Sequence, residues 1–163
     1  MKVFLRYVLP LLAIAAVFVF MFMQSSGPKQ VVSDTAVSED GTSELVDFYK
    51  AISEQQFEQA AQYIQPDCSN SRCFVEDIKS EDIADYLRTM CETNVCDPIE
   101  IDSVGNMDNN NLYVHTVAFL DDNGGRERLC ITEDCRVQKV TFALRVVNIG
   151  NQWFVTDPPP TKY

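Results

Sequence analysis

Six cysteines in three evenly spaced pairs constrain this 163-residue chain more than any other feature. Four residues separate the members of each pair, and no cysteine is left over: Cys68 and Cys73, Cys91 and Cys96, Cys130 and Cys135. Such pairs can hold a metal, carry out redox chemistry or close loops as disulfides. The spacing lacks the two-residue gap of the commonest zinc knuckles and thiol oxidoreductases, and only one histidine could add a ligand. Which of these three roles the cysteines have therefore depends on whether the chain lies in an oxidising or a reducing compartment.

The first 24 residues are typical of a membrane-targeting segment. Two basic residues precede an uncharged run over residues 7–23, which is long for a signal-peptide core and at the short end of what spans a bilayer. The best cleavage register, residues 25–27, puts Pro28 directly after the cut, where proline usually blocks processing. We therefore expect residues 1–24 to be retained as a membrane anchor, with a removed signal peptide as the alternative.

The charges around this segment predict which side of the membrane the remaining chain occupies. Lys2 and Arg6 lie before the apolar run, whereas Lys29 and then acidic residues follow it. The positive-inside bias leaves the N-terminus in the cytoplasm and the C-terminal domain outside, periplasmic or extracellular, on the inner (plasma) membrane. In that location an even set of cysteines indicates disulfides, so we assign all six to disulfide bonds and expect no metal and no cofactor. We expect each pair to form a local bridge, with Cys130 and Cys135 facing each other across a four-residue hairpin loop.

Composition divides the remaining chain into a tether and one domain. Residues 25–42 are small, polar and acidic, which is typical of a flexible linker, and residues 43–163 suit a single domain with one core. Outside the anchor, 24 acidic residues face 11 basic ones, a formal charge of −13. This charge disfavours nucleic acid and anionic lipid surfaces as partners, and it also keeps an exported domain soluble.

Apolar periodicity predicts helices first and strands afterwards. Residues 43–66 contain two short amphipathic helices ended by Pro66, and Ser80 is the predicted N-cap of a third helix that stops near Cys91. The polar sequence DDNGG at residues 121–125 resembles the start of a calcium loop but lacks its later ligands, so we expect a hairpin turn there. The predicted strands cover residues 99–104, 111–120, 127–131, 136–149 and 152–156.

This order of elements resembles the nuclear transport factor 2-like superfamily, whose cystatin-like cone packs about three helices on a curved antiparallel sheet. Two segments carry the resemblance. DFYKAISEQQFEQAAQYIQP (residues 47–66) looks like the family's opening helix, connection and second helix, and VTFALRVVNIGNQWFVTDPP (residues 140–159) is similar to its long strand, tight turn and final tryptophan-bearing strand. The resemblance implies an α+β fold, here a membrane-anchored extracytoplasmic member. It implies no activity, because the superfamily hosts many functions.

Two long predicted strands are largely apolar on both faces. One alternating face of residues 111–120 holds Tyr113, His115, Val117 and Phe119, and the other holds Leu112, Val114, Thr116, Ala118 and Leu120. The later strand places Thr141, Ala143, Val147 and Ile149 on one side. Three short helices cover one side of a sheet, so we expect the other side to form a homodimer or protein-partner interface. Alternatively, the curl of a small cone buries part of both faces.

No catalytic signature is present, and we assign no catalytic residue. His115, Tyr113 and Trp153 are the candidate binding residues, although a lone histidine on an apolar strand is more often part of the core. Two functions remain open. The first is a single-pass, membrane-anchored extracytoplasmic binding or assembly module, an accessory subunit or scaffold of a membrane-associated complex. The second is a small-molecule isomerase, lyase or ligand carrier that uses the cone pocket. The anchor, the acidic tethered domain and the two-sided apolar sheet favour the first, which is not an enzyme.

Overall fold

A computed structural model describes residues 39–69, 73–108 and 111–163 of the chain. The predicted anchor and residues 25–38 of the predicted linker lie outside the described residues. Within the described ranges, no helix combines the length and the apolar character that a membrane crossing requires.

Helices occupy the first half of the described chain, as predicted. Helix α1 runs over Thr42–Ser53, and α2 over Phe57–Ala60 continues into a 3-10 turn at Ala61–Tyr63. A 3-10 turn at Ser80–Asp82 leads into α3, Ile83–Met90. Each of the two longer helices buries one apolar stripe, as its sequence period requires.

The predicted N-cap of the third helix is wrong. Ser80 begins the 3-10 turn, and the residue that precedes α3 is Asp82, which makes no side-chain capping hydrogen bond. The pattern of a serine followed by two acids is common to helix caps and to tight turns, so it located the helix start only to within one turn.

Four antiparallel strands form the main sheet in the order β1-β2-β5-β6. They are β1 (Ile99–Asp108), β2 (Leu112–Phe119), β5 (Thr141–Ile149) and β6 (Gln152–Val155). The short strands β3 (Leu129–Cys130) and β4 (Gln138–Lys139) make a separate hairpin between β2 and β5 in the chain. Helices packed on an antiparallel sheet confirm the predicted α+β class.

The helices pack on one face of the main sheet, which we call the inner face. Tyr49 of α1 meets Phe119 of β2 edge-on, with ring centroids 5.5 Å apart, and Phe119 meets Phe142 of β5 at the same distance. Alternate residues point to the opposite side, which we call the outer face: Leu112, Val114, Thr116, Ala118, Thr141, Ala143, Arg145, Val147 and Phe154. The core therefore lies between α1 and the inner face.

Three local disulfides confirm the predicted cysteine pairing and indicate an oxidising environment. Their Cα–Cα separations are 5.7, 5.6 and 4.8 Å, within the range that disulfides span. The third pair differs from expectation in one respect. Cys130 lies opposite Gln138 in the β3–β4 ladder, so Cys135 belongs to the loop at residues 131–137 and does not close a four-residue hairpin.

Gly41, immediately before α1, has a positive φ of 74° and touches the sheet. A Cβ at this position would lie 2.7 Å from Cγ2 of Val146 and 3.0 Å from the indole of Trp153. Glycine is therefore required here, because the backbone φ is positive and because the sheet leaves no room for a Cβ. The packed domain thus includes Gly41, a residue of the predicted linker.

We expect Gly41→Ala to lower the free energy of unfolding by about 2–5 kcal/mol, from a left-handed alanine plus an overpacked contact. Gly124→Ala is the matched control, because Gly124 has φ 76° and nothing within 4 Å of an added Cβ. The control should lose only about 1–2 kcal/mol. Urea unfolding of both variants measures the difference, and equal losses would contradict the close approach at Gly41.

Candidate functional site

The three residues predicted to bind a ligand all lie on the inner face. Tyr113 and Trp153 are in contact, with ring centroids 5.5 Å apart at 77°. His115 is two residues from Tyr113 on the same strand and is 0% exposed, and Trp153 is 4% exposed. The fold brings these residues together as part of the core. Trp153 also borders a small cavity of about 170 Å³, together with Tyr63 and Gln152.

His115 makes one polar contact in this interior. Its Nε2 is 3.0 Å from Oγ1 of Thr42, the first residue of α1. Burial lowers the pKa of His115, and the Asp40 carboxylate partly opposes that shift. His115 Nδ1 and the Tyr49 hydroxyl are buried and lack a hydrogen-bond partner in the described part of the chain. Burial also raises the pKa of Tyr49, with a smaller contribution from Asp157, so Tyr49 is a neutral phenol.

A cleft of about 510 Å³ opens at the rim of the sheet, away from these residues. We call it the rim cleft. Its walls come from three separate parts of the sequence: the segment between α3 and β1, the segment from β2 to β3, and the C-terminal residues. Its charged lining residues are Asp97, Asp121, Asp122, Glu127, Arg128 and Lys162.

Backbone hydrogen bonds fix one wall of the rim cleft. The N–H of Val95 donates to the carbonyl of Pro160 at 2.8 Å, and the N–H of Lys162 donates to the carbonyl of Thr93 at 2.7 Å. The Asn94 side-chain amide donates to the carbonyl of Pro159 at 2.6 Å. This C-terminal strap, residues 159–162, therefore holds the cleft against the loop that the Cys91–Cys96 disulfide closes.

The opposite wall is an ordered turn at residues 121–125, as predicted. Oδ1 of Asp121 accepts the backbone N–H groups of Asn123 and Gly125, both at 2.8 Å. The Asp121 N–H in turn donates to the carbonyl of Gly125. One carboxylate oxygen of this acidic sequence is thus used within the turn itself. Beyond it, Cys130 of the third disulfide also lines the cleft.

Electrostatics in the rim cleft favour a positive ligand group. Burial raises the pKa of Glu127, and the neighbouring carboxylates Asp97, Asp121 and Asp122 raise it further, whereas Lys162 opposes them. The shift shows that several negative charges share one partly desolvated space. Sequence reasoning missed this site, because Asp97 is far in the chain from the acids at residues 121–127. The pairing of β1 with β2 brings the two segments together, and the N–H of Leu120 donates to the carbonyl of Pro98 at 2.8 Å.

The outer face is the second candidate surface. Leu112, Val147 and Phe154 lie side by side on β2, β5 and β6. Ala143 is exposed next to the partly buried Thr116. Not every residue of the predicted apolar row is available, since Val147 is 4% exposed, whereas Ile149 is 43% exposed.

An ion pair crosses the edge of this face. Asp157 Oδ2 accepts the backbone N–H of Arg145 at 2.8 Å, and Nε of Arg145 donates to both carboxylate oxygens at 3.0 and 2.9 Å. The carboxylate thus takes the place of a strand partner just after β6 ends. It also raises the pKa of Arg145, which keeps its charge at every relevant pH.

No protein-family model and no curated protein matches the chain. Solved structures do match. One is a Xanthomonas campestris protein provisionally assigned as a calcium/calmodulin dependent protein kinase II association domain, 15% identical, with a TM-score of 0.38, over 71% of this chain and 81% of that chain. Another is a designed nuclear transport factor 2 protein, 15% identical, with a TM-score of 0.40, over 75% and 95%. Both TM-scores are below 0.5, so we assign the α+β fold from this chain's own strand order and helix packing.

The rim cleft predicts a measurable coupling between its carboxylates. Asp97→Asn should move the pKa of Glu127 down toward its ordinary value, because a neighbouring negative charge is removed while burial remains. Carboxyl carbon NMR across a pH titration measures the shift. Glu81→Gln, at an exposed position outside the cleft, removes the same charge and should leave Glu127 unchanged. Equal effects from both variants would argue against a shared site.

Proposed function

We propose that this chain is an extracytoplasmic binding and assembly module of the nuclear transport factor 2-like type, tethered to the membrane by residues 1–24. It associates through the outer face, with a second copy or with another subunit of a membrane complex. The observation that carries the proposal is the uneven cover of the sheet: α1 and its neighbours pack on the inner face, and the outer face keeps partly exposed apolar residues. Three disulfides support the extracytoplasmic location.

The outer face has the chemistry of an association surface. Its centre is built from small and apolar side chains on adjacent strands, which allow a partner to approach closely: Val114, Thr116, Ala143 and Phe154. A sheet face of this composition is normally covered in a folded protein. A two-fold pairing of the same face would cover it in both copies at once.

The charged groups of the outer face do not oppose the burial of this face by a partner. Arg145 is paired with Asp157 within the same chain, and Arg126 pairs with both Glu100 and Asp102. Association would therefore not bury an unpaired charge, which is the main cost that excludes charged surfaces from interfaces.

We expect the full-length chain, purified in a mild non-ionic detergent, to be dimeric or bound to its partner. Ala143→Asp should release the monomer, because it places a negative charge at the centre of the outer face. Light scattering that reports the mass of the protein component measures this. Gln59→Asp, which adds the same charge at an exposed position of α2, should keep the assembly of the wild type. A monomeric wild type without a partner, or equal dissociation of both variants, would contradict the proposal.

A second candidate function is ligand binding, and the rim cleft is the observation that favours it. An isomerase or carrier that uses the cone interior would need an opening beside His115, but that residue is fully buried. The rim cleft has the volume of a small-ligand site and a surplus of carboxylates, so its preferred ligands are cations with several amino groups, such as polyamines or lysine-rich segments.

Tetralysine is a suitable probe of this second function. We expect it to bind the wild type in low salt, and the double variant Asp97→Asn/Glu127→Gln to bind roughly tenfold more weakly, as two partly exposed charge contacts allow. The double variant Glu76→Gln/Glu81→Gln changes the net charge equally at exposed positions outside the cleft and should bind like the wild type. Calorimetric titration decides between them. If both double variants weaken binding alike, the attraction is general and the rim cleft is not a site.

A further inference from the structure

A partly buried side-chain hydrogen bond joins the start of α1 to the sheet, beside the contact that Gly41 makes with Val146 and Trp153. Thr42 Oγ1 and His115 Nε2 are 3.0 Å apart and join the first residue of the helix to the middle of β2. On the helix side, the N–H of Thr42 donates to Asp40 Oδ1 at 3.0 Å, and the N–H of Leu45 donates to the carbonyl of Gly41 at 3.0 Å. The first turn of α1 therefore depends on a contact made by a titratable group.

The surroundings of His115 suit the neutral imidazole. Val104 of β1 and Leu144 of β5 lie opposite it in the sheet, and both are apolar. Nδ1 has no hydrogen-bond partner in the described ranges and no exposure to solvent. A neutral ring that donates from Nε2 to Thr42 leaves Nδ1 as one buried acceptor without a partner. A protonated ring adds a buried charge and a second donor without an acceptor, which costs much more.

One charged group acts on the ring from the elements packed against it. Asp40, just before α1, is the carboxylate that favours the imidazolium form. Two acids of α1, Glu44 and Asp47, act instead on Tyr63. On β2 itself, the neighbours on the same face are Tyr113, packed on Trp153, and the apolar Val117. A proton on His115 therefore meets mainly apolar neighbours, and within the described residues Asp40 makes no ion pair with the ring, since its Oδ1 accepts the N–H of Thr42.

We propose that His115 is a proton-sensitive latch. When it is neutral, it holds the first turn of α1 on the sheet, and when it is protonated, it releases Thr42, so that the chain entering the domain rearranges and Asp40 approaches the imidazolium. The latch lies where the predicted tether meets the domain, and it would make the attachment of that tether sensitive to acidification outside the cell membrane. It does not depend on the outer face or on the rim cleft.

The direction of the pH effect follows from the protonation form that the closed latch favours, which is the neutral imidazole of His115. Burial lowers the pKa of His115 in the closed latch relative to the open one, so the contribution of the latch is fully present above the ordinary histidine value near 6.5. It is lost as the pH falls from there through the lowered value. Because one proton is involved, the equilibrium between closed and open latch changes by at most about tenfold per pH unit in that window.

Hydrogen exchange of the full-length chain tests this inference. In peptides that contain the Leu45 amide, we expect protection, corrected for intrinsic exchange, to fall by up to about tenfold per pH unit below pH 6.5. His115→Gln, which keeps a donor but cannot titrate, should remove this dependence. Thr42→Val should reduce protection already at pH 7 without changing any titrating group. Peptides from β5 should stay equally protected throughout.

A second measurement covers the case in which His115→Gln does not fold. His115 is the only histidine of the chain, so its imidazole NMR signals in the wild type are unambiguous. Their titration should coincide with the loss of protection in α1. The inference is overturned if the ring titrates while the protection of α1 stays constant, or if that protection in the wild type does not change between pH 7 and 5. It is also overturned if a folded His115→Gln variant loses protection in acid as much as the wild type does.

Discussion

The packing of α1 against the inner face of the main sheet is the interaction on which the rest of this domain depends. α1 supplies a fully buried stripe that meets β2 through Tyr49 and Phe119, and the short α2 and α3 extend the same layer. At about 1.5–3 kcal/mol for each large apolar side chain, this stripe contributes more than any other single element. The helix start shares in this packing, since Gly41 and Thr42 both touch the sheet.

The disulfides hold loop segments at the border of that core, and Cys96 is itself part of the core cluster. Each closes a ring of only six residues, which stabilises the folded chain modestly, by about 2 kcal/mol in the loop-entropy description. The positions of the disulfides in the fold indicate their role more clearly than the modest stabilisation they provide. The Cys91–Cys96 bridge shapes the loop that the C-terminal strap binds, and Cys130 borders the rim cleft. Two of the three bridges therefore fix irregular backbone around the candidate ligand site.

Local periodicity predicted most of the secondary structure, because each helix and strand has one face that must be buried. It placed Tyr113 and His115 on one face of their strand, and the sheet register adds Trp153 of β6 to that face. It could not reveal the rim cleft, because Asp97 reaches Asp121 and Glu127 only through the register of β1 on β2. Nor could it supply the hydrogen bond between His115 and Thr42, which are 73 residues apart. Contacts of this kind depend on the exact register between a helix and a sheet, which short-range patterns do not specify.

Charge distribution separates the two candidate surfaces and decides which of them can join acidic copies of this chain. With a formal charge of −13 beyond the predicted anchor, two modules repel each other at most orientations. The repulsion is strong at the rim cleft, where four carboxylates face two basic side chains and where burial and neighbouring carboxylates raise the pKa of Glu127. It is weakest at the outer face, where Arg126 and Arg145 neutralise most of the charge of Glu100, Asp102 and Asp157. A second copy therefore meets the least electrostatic resistance on the outer face, and the rim cleft is left to groups of opposite charge.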